Sequence, residues 1–131
     1  MVDILKKKLS MDFDDAVEHV KTEVEKQGFS VMLVKAIDEI FKKKLGVKEY
    51  ERYTFILACA PQFAKAALDV SKNVGLLFPC SFAVYEDQGN IYVAHASIMK
   101  IAPEVGLAPA DKMLPVIEET GKAVHKAWDN I

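Results

Sequence analysis

The sequence predicts an α+β domain of two layers, a mostly antiparallel sheet with helices packed on it, in the order β-α-β-(short α)-β-α-β-β-α. Three observations predict it. β-branched apolar runs alternate with segments whose apolar residues recur at helical spacing, so strands and helices interleave. The stretch Cys80–Ile98 reads as two strands folded about "DQGN". A hydrophobic fraction of 51% in 131 residues supplies one core, and hence a single domain over 1–131.

The elements follow in order. Val2–Leu9 alternates weakly and suits a short first strand. Asp12 is placed to cap a helix, with Asp15 in box-like spacing. Phe13, Ala16, Val17, Val20 and Val24 form its apolar stripe, and Gly28 is placed to end it in a left-handed turn. Phe29–Ile37 reads as a strand, and Asp38 to Leu45 as a short helix capped by Asp38 and closed by Gly46. Arg52–Cys59 is the next strand. Pro61 opens a helix running to about Lys72, since proline's missing N–H costs nothing in the first turn. Phe63, Ala64, Ala67 and Leu68 fall on its inner side. After the loop "NVGLLFP" come the strands Cys80–Glu86 and Ile91–Ile98, with Gly89 supplying the positive φ of a tight hairpin. Met99–Ala110, with two prolines and a glycine, reads as irregular. The last helix, Asp111–Asn130, carries Met113, Val116, Ile117, Val124, Ala127 and Trp128. It tolerates Pro115 only within its first turn, and Gly121 suggests close packing.

Composition excludes several classes. The net charge of −2, with Arg52 the only arginine, offers no basic stripe for nucleic acid. No apolar run approaches the ~18 residues of a membrane span, and the N-terminus lacks the order of a signal peptide. A cytoplasmic location is expected, where two cysteines are free thiols rather than a structural disulfide.

With Asp87 opposite Asn90, one face of the hairpin carries Cys80, Phe82, Val84, Ile91, Val93 and His95. The other carries Ala83, Tyr85, Tyr92, Ala94, Ala96 and Ile98. Arg52–Cys59 is likewise apolar on both sides. A sheet with helices on one side shows water a polar second face, so this face needs a cover. The expected cover is a second copy of the chain, making a homodimer; the C-terminal helix of the same chain is the competing one. The small residues Ala83, Ala94 and Ala96 would let a partner approach closely.

Cys59 ends a strand just before a helix, where the helix dipole favours a thiolate. In the hairpin register Cys80 and His95 are diagonal neighbours, with Cβ atoms within about 8 Å. Cys59, Cys80, His95 and Met99 are therefore the candidate thiol or ligand site. One chemistry is a thiol-dependent enzyme or a redox or sulfur carrier, with His95 as base. The plainer reading is packing, because free cysteine behaves as a small apolar residue, neither thiol has a CxxC partner, and Met99 fills gaps. Two cysteines 21 positions apart match no common metal spacing, so no metal is assigned, and no cofactor is identified. His125 gives no site signal. Phosphate-loop, dinucleotide and GxSxG signatures are absent, and no carboxylate pair for acid–base work stands out.

Three stretches carry a family likeness: "GFSVMLVKAIDEIFKKKLG", "YTFILACAPQFAKAAL" and "GLLFPCSFAVYEDQGNIYVA". Their order resembles the family called domain of unknown function 302, over roughly residues 10–99. The matching features are Gly28-Phe29, Leu45-Gly46, Cys59-Ala60-Pro61 and Leu77-Phe78-Pro79-Cys80 leading to Val84-Tyr85-Glu86. Family members more often have Asn in place of Ala60, whose side chain cannot cap the helix. The resemblance implies a small α+β domain, often dimeric, without an established activity. The expected function is a dimeric ligand-binding or accessory module rather than an enzyme, with itself and a possible small-molecule ligand as partners, no nucleic acid and no membrane. A thiol-dependent enzyme or redox carrier using Cys59 and Cys80 is the alternative.

Overall fold

A computed structural model describes residues 4–131. Its elements are β1 (Leu5–Leu9), α1 (Phe13–Lys26), β2 (Ser30–Ala36), α2 (Ile37–Leu45), β3 (Tyr53–Cys59), α3 (Pro61–Val70), a 3-10 helix (Lys72–Leu77), β4 (Cys80–Asp87), β5 (Asn90–His95), α4 (Ile98–Glu104) and α5 (Ala110–Asn130). The start of the expected first strand, Val2–Asp3, lies outside the described residues. One five-stranded sheet has the order β1-β5-β4-β3-β2, and every pairing is antiparallel. The α+β class stands.

The hairpin register is as expected. Asp87 pairs with Asn90, Val84 with Val93 and Phe82 with His95. Gln88 and Gly89 both take positive φ, 51° and 80°, the backbone of a two-residue turn that matches the twist of the strands. β5 ends at His95 rather than Ile98, so the expected pairing of Cys80 with Ser97 does not form, and Ala96 and Ile98 do not lie on the sheet.

Helices cover only one face. Ile56, Phe82, Val84 and Val93 from the sheet share a core with Val20 and Val24 of α1 and with Ala127 and Trp128 of α5. A second cluster joins Ala67, Val74, Met99, Ala102, Met113 and Val116, where α3, the 3-10 helix and α4 gather around the first half of α5. Tyr53, Phe55, Leu57, Ala83, Tyr85, Tyr92 and Ala94 belong to neither cluster. On that uncovered face Tyr53 stacks on Tyr85 at 5.5 Å between ring centroids, and Tyr85 lies 5.7 Å from Tyr92. Lys6 Nζ caps the row 4.5 Å above the Tyr92 ring. The C-terminal helix is thus not the cover of the second face. The edge strand β2 carries an irregularity between Val31 and Leu33, and Met32 and Leu33 are exposed.

Five local expectations are corrected in whole or in part. Asp12 stands at the cap position of α1 as expected, with extended backbone, but its side chain makes no capping hydrogen bond. Asp38 does not cap α2, because β2 runs directly into that helix and places Ala36 at the cap; Asp38 Oδ1 instead accepts the Tyr53 N–H at 2.9 Å. Met99–Ala110 is not irregular throughout: Ser97 Oγ accepts the Lys100 N–H and opens α4. Gly106, at φ 81°, closes it, with the Leu107 N–H donating to the Ala102 carbonyl at 2.8 Å. Pro115 falls in the second turn of α5, which begins at Ala110, rather than in the first. α3 also stops at Val70, two residues short, and gives way to the 3-10 helix. Among the described residues no helix is long and apolar enough to cross a membrane.

Candidate ligand site

Alternation along β3 and β4 determines where the thiols go. Ala58 pairs with Cys80, and Cys59 with Ser30. Cys80 is 8% exposed and starts β4 on the helix-covered side, in line with Phe82 and Val84. Cys59, Cys80 and Met99 line a common void with Ala60, Ala64 and Phe78, and no disulfide joins the cysteines. The void measures about 10 Å³, at the lower limit for a single water and too small for a substrate. Burial pushes the Cys80 thiol up from an ordinary 9.0 to about 11, and the neighbouring Cys59 adds to the rise. Cys80 is therefore protonated at neutral pH and a poor nucleophile. Among the described residues no three His, Cys, Asp or Glu side chains gather as a metal set.

His95 is not part of that group. Its Nδ1–H donates to the Ser81 carbonyl at 2.8 Å, and its ring stacks on Phe82 at 4.2 Å. Burial lowers its pKa, the Ser81 hydrogen bond opposes this, and nearby His125 lowers it further. The ring is neutral at pH 7, with Nδ1 protonated and Nε2 left as an acceptor.

His95 opens instead onto a cleft of about 260 Å³ between the β1–β5 edge of the sheet, the start of α4 and the middle of α5. Leu5, Ile117 and Val124 supply apolar wall; Ser97, Lys100, Thr120 and His125 supply polar groups. Thr120 is 4% exposed, and its hydroxyl is the single buried side-chain polar atom without a hydrogen-bond partner among the described residues. Leaving such a group unpaired costs about 1–3 kcal/mol. A Cβ built on Gly121 would meet nothing within 4 Å, so this glycine borders open space and does not mark the close packing expected of it. Other depressions, such as the groove of about 340 Å³ beside α2 lined by Lys35, Glu39, Lys43 and Lys44, are open and solvated and hold no unpaired buried group.

The family profile described as "Domain of unknown function DUF302" matches residues 5–131. The chain belongs to this family. A solved structure described as "Crystal structure of uncharacterized conserved protein DUF302 from Bacillus stearothermophilus" superposes with a TM-score of 0.84, over 97% of this chain and 96% of that one. At 20% identity the likeness establishes the fold alone. No curated protein matches the chain.

Of the residues singled out in this DUF302 chain, Cys59, Cys80 and Met99 are brought together around one small void, and His95 lines a different cavity. Sequence reasoning missed Ser97, Lys100, Thr120 and His125. A signal existed for one of them: Thr120 occupies a stripe position between Val116 and Val124, a hydroxyl on an otherwise apolar helix face.

Proposed function

We propose that this DUF302 protein is a small-molecule-binding module, homodimeric and cytoplasmic with reduced thiols, that holds its ligand in the cleft between His95 and Thr120. The observation that carries this reading is the Thr120 hydroxyl, shielded from solvent and unpartnered, on a residue that lines a cleft with several other polar side chains. Concave, largely apolar cavities with a few such groups are the usual form of a ligand site. A thiol enzyme draws no support from Cys80, whose protonated sulfur borders no space for a substrate.

A dimer is supported by the uncovered face, whose tyrosine row and small alanines suit an interface. Light scattering on the eluting protein tests it: a species of twice 14.6 kDa is expected, falling to one chain in Ala94→Arg. A wild-type monomer removes the dimer. Amide NMR against a mixed fragment library tests the cleft. Shifts should gather at Ser97, Thr120 and Gly121 and disappear in Gly121→Leu, which fills the open space. Shifts that gather elsewhere remove the binding reading.

A further inference from the structure

We propose that the occupant of the cleft is a small organic acid, its carboxyl group held between Lys100, Ser97 and Thr120 and its hydrocarbon body lying against Leu5, Ile117 and Val124. This rests on the cleft being a ligand site, as argued above. The charge of the cavity is the first support. Among the described residues its lining contains a lysine and two histidines and no aspartate or glutamate. That is a local reversal in a chain with 19 acidic and 17 basic residues.

The hydrogen-bonding capacity points the same way. Thr120 has a hydroxyl with no partner, and Ser97 Oγ accepts the Lys100 N–H, which leaves the Ser97 proton to donate. His95 has committed Nδ1 to the Ser81 carbonyl, so only Nε2 can meet a ligand. Nε2 carries no proton at pH 7, so a hydrogen bond between it and a carboxylate forms only if one proton is taken up from solvent as the acid binds. The rest of the lining includes Leu5, Ile117 and Val124, and a cavity of mixed polar and apolar wall suits an amphiphilic molecule with one polar head.

A phosphate fits less well. Phosphate sites use arginine forks or clusters of backbone N–H groups for a group of higher charge. The single arginine, Arg52, is at 2.6 Å from Asp14, with its guanidinium over the Phe13 ring, and is not part of the cleft. One lysine balances one carboxylate.

Amide NMR titration of the full chain with octanoate, 1-octanol and inorganic phosphate separates the possibilities. Octanoate should shift Ser97, Lys100, Thr120 and Gly121 and bind at least about tenfold more tightly than octanol. Lys100→Gln, at an exposed position that does not threaten folding, should bring octanoate to the octanol level, and Thr120→Val should weaken octanoate more than octanol. If octanol binds as tightly as octanoate, or phosphate binds more tightly than both, the acid is overturned and the binding site remains. If none of the three shifts these amides, the acid and the binding site fall together.

Discussion

At the scale of single residues, burial governs the ionisable groups. Cys80 holds its proton up to about 11 when folded, against an ordinary 9.0, so between these values the folded chain binds more protons than the unfolded one. Stability is then full below about pH 9 and lost as pH rises, by about 2–3 kcal/mol at pH 11. Urea melts at pH 8 and 10.5 should show this loss in the wild type, and a smaller one in Cys80→Ala. His95 has the opposite sense. Its folded pKa is lowered from 6.5, so the unfolded chain takes up the proton first and stability declines as pH falls through 6.5. At Gly121 space rather than charge decides. No neighbour would meet a new methyl group there, and alanine favours the helix over glycine by about 0.8–1.0 kcal/mol. Gly121→Ala should raise the denaturation midpoint while narrowing the cleft, a gain in stability accompanied by weaker ligand binding.

At the scale of elements, α4 shows how local chemistry overrides a breaker. Pro103 suggested an irregular segment, yet Ser97 and Gly106 bracket a helix between them, and the proline stands near its end. Ser97→Ala should cost about 0.5–2 kcal/mol, the usual value of a lost cap, measured by thermal or urea melts. The strands and long helices were legible because their periods of two and 3.6 residues persist over whole elements. The hairpin register was legible because its two-residue turn permits one pairing. Caps were less legible: Asp38 sits at the right place in sequence, but β2 runs into α2 without a linker and moves the cap to Ala36. The candidate site was the least legible. Strand alternation put Cys80 and His95 on one face, but it carries no information about which cavity each side chain borders. Ser97, Lys100 and Thr120 come from elements that meet only in three dimensions.

At the scale of the whole molecule, the sheet is covered on one side and bare on the other, and the cleft opens on the covered side at its β1–β5 end. The two functional surfaces proposed here are therefore separate, and disrupting one should spare the other: Ala94→Arg should abolish the dimer while leaving octanoate binding within about twofold, by the same titration. β1 has a single neighbour, β5, and Leu5 pairs with His95 across most of the chain. The wall that Leu5 and His95 give the cleft is therefore closed by two segments far apart in the sequence. A chain in which β1 has come away from β5 loses that wall, so a bound ligand would hold the edge strand in place.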